Sequence, residues 1–329
     1  MHVLITGGTG FIGSRLALHC RELGQTVRVM AQRNTPAECQ NCQELENSNI
    51  QIIDGSVMDI ESLRSAAENV EVVYHLAAAQ HEANVPDQHF YNVNVEGTRN
   101  VLQAAVDTNV KRFVHGSTIG VYGSSHNDPV SENSSLEPDN IYGVTKLAGE
   151  KVVQHFFEKL PISIIRIAEV YGPGDRRLLK LFRGIQKGTF FMIGKGTNLH
   201  HPIYVDDLID GMKLAATINE AVGKTFVLAG PKAITTNEMV LGIAKALDTK
   251  GPTIRVPLWP LLATAIGMET LLQPLGIQPP LHRRRMNFFI KSFKFNCSEA
   301  QSIMDFQPKI SFEQGAKFTA QWYRSKDLI

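Results

Sequence analysis

The sequence predicts an α/β fold built on a doubly wound parallel sheet. Two observations predict it. An apolar run at residues 3–5 is followed by a glycine-rich turn and then by a helical pattern from residue 14. Beyond this point, strand-like and helix-like segments alternate as far as residue 168. Alternation at this pitch is typical of parallel strands joined by crossover helices.

The glycine-rich turn, residues 6–13, reads Thr-Gly-Gly-Thr-Gly-Phe-Ile-Gly. Gly7, Gly10 and Gly13 permit a tight turn, close approach of the backbone to a pyrophosphate, and close packing of helix on strand. Phe11 and Ile12 stand where the helix begins, and backbone N–H groups there are free to bind phosphate oxygens. Three glycines also suit a turn without a ligand, but their place between a strand and a helix favours a dinucleotide site.

The remaining elements follow in order. Strands are expected at 25–31, 50–53, 70–76, 112–116 and 162–168, and helices at 60–67, 94–108 and 142–160. Two further helical patterns, separated by Pro308, are expected between residues 298 and 323. In a doubly wound sheet the ligand binds beyond the carboxyl ends of the strands, where the strand order reverses.

The end of the second strand bears on which dinucleotide is bound. An acidic residue there would bond the ribose hydroxyls of NAD, but the sequence has Ala31, Gln32 and Arg33. With no carboxylate to repel a 2′-phosphate and with Arg33 to pair with it, NADP is permitted as well as NAD. Arg33 is alternatively a solvated loop residue. Further cofactor contacts are expected after the third and fourth strands, from Ser56, Val57, Ala77 and Ala78.

A hydroxyl, a phenol and an ammonium group are expected to carry the chemistry. Tyr142 and Lys146 are four residues apart in a predicted helix, which places them on one face. The ammonium group should favour the phenolate and lower the pKa of Tyr142. Thr118, at a strand end, can hydrogen-bond the same substrate oxygen. This set suits the transfer of one proton while hydride moves to or from a nicotinamide.

Composition argues against several classes of protein. The 329 residues carry a formal net charge of +1, with 43% hydrophobic and 20% charged residues, which indicates neither a nucleic acid nor a membrane partner. A strand begins at residue 3 and no apolar run reaches the about 18 residues of a membrane span, so we expect a cytoplasmic protein. Cys39 and Cys42 form a C-x-x-C pair that we interpret as part of a surface loop, and no metal site is expected.

Together these motifs resemble the extended short-chain dehydrogenase/reductase family, the group of NAD-dependent epimerases, dehydratases and 3β-hydroxysteroid dehydrogenase-like enzymes. The matching segments cover nearly the whole chain and include 6–13, 75–78, 94–98, 117–123, 171–174 and 203–207. The resemblance implies that Tyr142 is the acid/base, that Lys146 holds the nicotinamide ribose, and that Asn94 points inward from its helix.

The same resemblance implies a Rossmann-type domain over residues 1–172, to which 203–230 return, and a smaller carboxyl-terminal substrate domain over 173–329. It also implies a homodimer formed through the helices that begin near Asn94 and Tyr142.

The chain departs from the nucleotide-sugar members of that family at two places. Arg166 is followed by Ile167, Ala168 and Glu169 where those members read Arg-Pro-x-Asn, and residues 200–202 replace their Arg-Asp-Phe. Three interpretations stay open: hydride transfer at a secondary alcohol or ketone of a sugar-nucleotide-like small molecule, a 3β-hydroxysteroid dehydrogenase-like reaction on a lipophilic alcohol, and a cofactor-binding subunit without catalysis. The net reaction, whether dehydrogenation, epimerisation or dehydration, is also open.

Candidate substrate contacts are Ser117, Glu169, Arg176 and Arg284. Arginine forks suit phosphate or carboxylate groups. Glu169 is interpreted as an extra base or, preferably, as the ion-pair partner of Arg166 or Arg176. His200 and His201 are interpreted as structural.

The proline-interrupted stretch 256–281 has two interpretations. It is either a lipophilic wall for an isoprenoid or steroid-like substrate, or a short core helix with Glu269 and Gln273 on its solvent side. We prefer the core helix.

Overall fold

A computed structural model describes residues 1–80, 85–123, 129–272 and 283–329, with the backbone alone for 283–285. The strands are β1 (His2–Thr6), β2 (Thr26–Ala31), β3 (Gln51–Asp54), β4 (Val72–His75), β5 (Arg112–Thr118), β6 (Ile162–Ile167), β7 (Glu169–Tyr171), β8 (Met192–Ile193), β9 (Leu199–His200), β10 (Pro202–Tyr204), β11 (Thr225–Leu228), β12 (Ile234–Thr235) and β13 (Arg255–Val256). The α-helices are α1 (Phe11–Glu22), α2 (Pro36–Asn47), α3 (Ile60–Ala67), α4 (Asp87–Tyr91), α5 (Thr98–Asp107), α6 (Ile141–Gln154), α7 (Leu179–Gln186), α8 (Val205–Thr217), α9 (Thr236–Ala246), α10 (Leu258–Leu272), α11 (Arg283–Ile290), α12 (Ser298–Met304) and α13 (Phe312–Ser325).

A seven-stranded parallel sheet forms the centre of the molecule, in the order β3-β2-β1-β4-β5-β6-β11. Val3 of β1 stands opposite Val27 of β2 on one side and Val72 of β4 on the other. The strand order therefore reverses between β1 and β4. The predicted doubly wound parallel fold is confirmed.

Helices cover both faces of this sheet because its strands are apolar on both faces. One core contains Leu16 of α1, Leu45 of α2 and Leu208 of α8. The opposite core contains Leu63 of α3 and Val153 of α6. The central strands are thereby shielded from water on both sides, and their carboxyl ends open onto a single edge.

A third core lies in the carboxyl-terminal part of the chain. It joins α7, α9 and α13 through Phe182, Ile243 and Tyr323. Other parts of this region pack on the large sheet, since β11 pairs with β6 and α12 contacts α8. The division of the chain at residue 172 stays a prediction.

Cys39 and Cys42 lie in helix α2, so their interpretation as part of a surface loop is wrong. Helix α2 begins there because Thr35 accepts the N–H of Glu38, Glu38 accepts the N–H of Thr35, and Pro36 occupies the first helical position. Both thiols are free, and Cys42 is buried in the core below.

The stretch 256–281 contains helix α10 and then continues beyond the described residues. Glu269 is buried, so its expected place on the solvent side is wrong, while Gln273 lies outside the described residues. Trp259 and Leu271 of the same helix are exposed instead.

Candidate active site

The glycine turn sits at the point where the strand order reverses. Gly7 has a φ of +69°, and a Cβ built on it would lie 2.6 Å from the backbone nitrogen of Ala77 after β4. A Cβ on Gly13 would lie 2.3 Å from the carbonyl oxygen of Gly7. Side chains are therefore excluded at both positions. Gly10 donates its N–H to Gly7 O at 3.1 Å and precedes α1, whose first residues, Phe11 and Ile12, pack against the core and leave their backbone N–H groups without partners in the helix.

A cavity of about 630 Å³ extends from this turn along the ends of β2, β3 and β4. The predicted cofactor residues that line it are Gly7, Ser56, Val57, Ala77 and Ala78. Sequence reasoning did not single out Thr35, Glu38 and His89, which also line it. The capping pair Thr35 and Glu38 was visible in the sequence as T-x-x-E, a helix-start signal.

Arg33 is held away from this cavity by two carboxylates. Its Nη2 lies 2.6 Å from Glu46 Oε1 and its Nε lies 3.0 Å from Asp54 Oδ1. These hydrogen bonds raise the pKa of Arg33. The expected pairing of Arg33 with a 2′-phosphate stays a prediction, and in this structure two carboxylates occupy its guanidinium.

Asn94 is buried and joins the exit of β4 to helix α6. Its Oδ1 accepts the N–H of Ala79 at 2.8 Å, and its Nδ2 donates to Ala79 O at 3.1 Å and to the Thr145 hydroxyl at 3.0 Å. Asn94 thus holds two walls of the site at a set separation. The resemblance placed it inward, and the structure shows what it holds there.

Thr118 and Tyr142 meet at the carboxyl end of β5. Asn140 caps α6 by accepting the N–H of Gly143 at 3.0 Å, which places Tyr142 in the first turn. The Tyr142 side chain hydrogen-bonds Thr118. Burial raises the pKa of Tyr142 to about 12, while Thr118 and the charge of Arg177 act in the opposite direction. The expected lowering of this pKa by Lys146 is wrong, because the cost of burying the phenolate dominates.

Lys146 lies one helical turn beyond Tyr142 and is fully buried. Its Nζ donates to the carbonyl oxygen of Gly116 at 2.7 Å. Burial lowers the pKa of Lys146 to about 8, against an opposing effect of Glu150. The ammonium group of Lys146 therefore loses its proton near pH 8.

Ser117 faces a buried network below the site. Its hydroxyl donates to Glu150 Oε1, and Glu150 Oε2 lies 2.8 Å from Arg166 Nη2. Arg166 Nη1 also donates to the Tyr122 hydroxyl at 2.9 Å. The structure therefore assigns Ser117 a supporting contact with Glu150. Sequence reasoning missed Glu150, although it stands four residues after Lys146 on the same helix face.

Glu169 pairs with a histidine instead of an arginine. His200 Nδ1 lies 3.2 Å from Glu169 Oε2, and His200 Nε2 lies 3.1 Å from the Thr236 hydroxyl. The expected pairing of Glu169 with Arg166 or Arg176 is wrong. His201 accepts the N–H of Phe295 at 3.0 Å and contacts Gly230 O at 3.0 Å, and burial lowers its pKa.

Of the expected arginine contacts, Arg176 lies at a second cavity of about 570 Å³, on the outer side of the glycine turn. Its Nη2 donates to Gln40 Oε1 at 3.3 Å. Arg177 is held by Asp175 at 2.9 Å, stacks over the Phe11 ring, and is close enough to Tyr142 to lower its pKa. Arg284 begins α11 with its neighbours, but its side chain lies outside the described part of the chain.

No group of three or more His, Cys, Asp or Glu side chains in the described part of the chain could hold a metal ion. In the same ranges, every helix is too short or too polar to cross a membrane.

This sheet and this site define a dinucleotide-binding enzyme of the short-chain dehydrogenase/reductase class. The chain belongs to the NAD-dependent epimerase/dehydratase family, whose model matches residues 3–229.

Similar proteins agree with this assignment. The N-acetyl-alpha-D-glucosaminyl-diphospho-ditrans,octacis-undecaprenol 4-epimerase of Escherichia coli O157:H7 is 27% identical over 327 residues, covering 98% of this chain and 95% of that protein. Isoform 2 of the 3beta-hydroxysteroid-dehydrogenase/decarboxylase of Arabidopsis thaliana is 26% identical over 344 residues, covering 96% of this chain and 61% of that protein.

Among solved structures, the UDP-glucuronic acid 4-epimerase of Bacillus cereus in complex with NAD superposes with a TM-score of 0.79. It is 24% identical, and 99% of each chain is covered. At this identity the likeness supports the Rossmann-type fold.

Proposed function

We propose that the protein is an NAD-dependent epimerase that oxidises and re-reduces one secondary hydroxyl of a sugar attached to a diphosphate. The observation that carries the proposal is the meeting of Thr118 and Tyr142 at the end of β5, with Lys146 one turn further along α6. This meeting point lies beside the switch point of the sheet, where the glycine turn makes room for a pyrophosphate.

The residues present fit a dinucleotide. Gly7 and Gly13 let the turn pack directly against backbone atoms, and the first turn of α1 offers free N–H groups for the pyrophosphate. Ser56 and Val57 would border the adenine, and Glu38 would face the adenosine ribose. A carboxylate at the ribose disfavours a 2′-phosphate, and Arg33 is paired elsewhere, so NAD is the proposed cofactor.

When bound, NAD supplies the acceptor and donor of hydride. Tyr142 takes the proton of the sugar hydroxyl as the phenolate and returns it from the phenol. Thr118 orients the reacting oxygen by hydrogen bonding. Lys146 holds the nicotinamide ribose, while the hydrogen bond with Thr118 and the charge of Arg177 oppose the effect of burial on the pKa of Tyr142.

Epimerisation is favoured over dehydration by the residues around Thr118. Loss of water requires a further acid and base at the neighbouring carbon. The two residues that follow Thr118 are Ile119 and Gly120, which carry neither. Glu169, for which an extra base was the less favoured interpretation, is hydrogen-bonded to His200.

A second candidate carrier for the sugar is a polyprenyl diphosphate. The carrier in the name of the Escherichia coli relative is undecaprenol diphosphate. Helix α10 favours such a carrier because it exposes Trp259 and Leu271 in the carboxyl-terminal region, where a substrate domain is expected. The lipophilic interpretation of residues 256–281, a wall for an isoprenoid or steroid-like substrate, would then apply to the isoprenoid chain of this carrier.

The expected homodimer and cytoplasmic location belong to this proposal as well. The dimer is supported by the family resemblance, through α5 and α6. Sedimentation velocity of the purified chain tests it, and a single species of 36 kDa would contradict it.

The central experiment is an NAD-loaded assay with UDP-glucose, UDP-glucuronic acid and their N-acetylated analogues, followed by product analysis. Tyr142→Phe should lower kcat by a factor of about 10² or more, because the proton acceptor is lost. The same substitution should change the dissociation constant for NAD by less than threefold. The exposed Tyr91→Phe serves as a matched control. Retained turnover in Tyr142→Phe would remove Tyr142 from its role.

A further inference from the structure

Helix α10 has the composition of a buried helix but not the surroundings of one. Its fifteen residues, Leu-Trp-Pro-Leu-Leu-Ala-Thr-Ala-Ile-Gly-Met-Glu-Thr-Leu-Leu, contain a single charged side chain, Glu269, and that side chain is buried. A helix that is apolar on all sides normally lies in a protein core or in lipid. Helix α10 lies at the surface, so one of its faces lacks a protein neighbour among the described residues.

The exposed positions form one stripe along the helix. Trp259, Ala263, Ile266 and Thr270 follow one another at spacings of three and four residues, and all are exposed. Trp259 is 74% exposed and Leu271, beside the end of the stripe, is 71% exposed. The opposite face carries the buried Ala265 and Glu269. The helix is therefore docked on the protein by one side and presents an apolar stripe on the other.

Helix α11 contacts α10 and begins with three consecutive arginines, Arg283 to Arg285. In the described part of the chain, no acidic residue lies within α11 itself. An exposed apolar helix face with a tryptophan, packed beside a helix that begins with three arginines, matches the chemistry of an anionic membrane surface.

We propose that α10 and the start of α11 form a membrane-surface contact whose occupant is a bilayer containing anionic phospholipid. The described part of α10 has fifteen residues, fewer than the about 20 apolar residues that a bilayer span needs, and the proposed contact places it in the interface with Trp259 toward the lipid. This reverses the expectation of no membrane partner, which rested on the net charge of the whole chain and on the lack of a long apolar run. The local surface, not the total charge, determines such a contact.

The contact has a route to the catalytic residues. The ring of Phe288 in α11 packs against His200 in a tilted arrangement, with 4.7 Å between ring centres, and His200 hydrogen-bonds Glu169. Beyond α11, Lys291 forms an ion pair with Asp139, just before the start of α6. These contacts connect α11, which packs on α10, to the segment just before the helix that carries Tyr142. The proposal does not depend on the proposed reaction, since vesicle binding requires no turnover.

The test is sedimentation of the full chain with vesicles. One set contains 30% phosphatidylglycerol in phosphatidylcholine, and the other contains phosphatidylcholine alone. The protein should sediment with the anionic vesicles, and the emission of Trp259 should shift to shorter wavelength in a Trp322→Phe background. Trp259→Glu and Leu271→Glu should each weaken the binding at least about tenfold. Arg283→Gln combined with Arg285→Gln should weaken it about thirtyfold, at about 1 kcal/mol per arginine.

Leu23→Glu is the matched control, because Leu23 is 54% exposed but follows α1 in the large domain. It should bind vesicles as the parent does, and circular dichroism and NAD binding should show that all variants are folded. A parent protein that stays in the supernatant with anionic vesicles would overturn the proposal. So would unchanged binding in Trp259→Glu and Leu271→Glu. A dimer that Trp259→Glu dissociates, in a protein that does not bind vesicles, would show that a second copy covers α10 instead.

Discussion

Glu150 and Arg166 form an ion pair that is closed to solvent, with Arg166 Nη2 2.8 Å from Glu150 Oε2 and the two side chains 1% and 5% exposed, respectively. The pair links α6, which carries Tyr142 and Lys146, to β6. Removing one charge leaves the other buried without its partner. The pair therefore sustains both the fold and the position of the catalytic helix.

Glu150→Gln is expected to lower the free energy of unfolding by about 3 kcal/mol or more, because the Arg166 charge stays buried and uncompensated. Urea denaturation followed by circular dichroism measures the change. Glu158→Gln, in an exposed position shortly after the same helix, should change it by less than about 0.5 kcal/mol. Equal stability of the two variants would show that the ion pair contributes nothing.

Lys146 should give NAD binding an alkaline limit. Its pKa of about 8 means that the ammonium group loses its proton as the pH rises through 8, so NAD affinity should decline from pH 7 to pH 9. Lys146→Arg keeps its charge over this range, because guanidinium is not deprotonated in proteins, and should remove the decline. Isothermal titration calorimetry at several pH values tests this, with the exposed Lys151→Arg as control. An unchanged profile in Lys146→Arg would assign the limit to another group.

The same lysine should make the fold more stable at higher pH over a defined window. Between pH 8 and pH 10.5 the unfolded chain binds a proton that the folded Lys146 has lost. The free energy of unfolding should therefore rise with pH in this window, by up to about 1.4 kcal/mol per unit, and Lys146→Met should lack this contribution. Chemical denaturation at pH 8 and pH 10 of both proteins measures the difference. Parallel pH dependences would refute it.

Glu38 should set the preference for NAD over NADP. Glu38→Gln removes the carboxylate but keeps the capping bond to Thr35, so NADP affinity should rise about tenfold relative to NAD, about 1.4 kcal/mol. Dissociation constants for both dinucleotides provide the test, and Glu22→Gln, exposed on α1, should leave their ratio unchanged. Tighter binding of NADP than of NAD by the parent protein would exclude this role for Glu38.

His115 should destabilise the fold at low pH. Neither ring nitrogen has a hydrogen-bond partner among the described residues, and burial lowers the pKa of His115 well below its usual value. Its unpaired nitrogens cost about 1 to 3 kcal/mol, so His115→Leu should stabilise the protein by about 1 kcal/mol at pH 8. Below about pH 6.5 the parent loses further stability, because its unfolded histidine binds a proton that the folded one does not.

The advantage of His115→Leu should therefore widen as the pH falls from 6.5 to 5. Denaturant unfolding at pH 8, 6 and 5 measures it. His155→Leu, at an exposed position after α6, should show no such widening. If His115→Leu is less stable than the parent at every pH, the packing of the imidazole ring contributes more free energy than its unpaired nitrogens cost.

Much of the fold follows from patterns that are local in the chain. Strand runs, glycine spacing and helix-start signals involve residues within a few positions of one another, and they were sufficient to predict the order of elements through β6. The face shared by Tyr142 and Lys146 was predictable for the same reason, since a helix determines it. Helices α2 and α4 were not predicted, although the local signal for α2 at Thr35 and Glu38 was present.

Contacts between distant residues decided what local patterns could not. Thirty-one positions separate Glu169 from His200 and thirty-three separate Ser117 from Glu150, so only the assembled sheet brings either pair together. Two further features likewise depend on which elements become neighbours. These are the ion pairs of Arg33 with Glu46 and Asp54 and the exposure of the apolar stripe on α10.

The sequence by itself determined the class of fold, the dinucleotide turn and the identities of Thr118, Tyr142 and Lys146 as candidates, because spacing along a strand or helix suffices for these. The tertiary structure alone decided the electrostatics of that site. A pKa depends on burial and on every charge nearby, and the burial of Tyr142 outweighs the hydrogen bond with Thr118 and the charge of Arg177, which only the folded chain brings close.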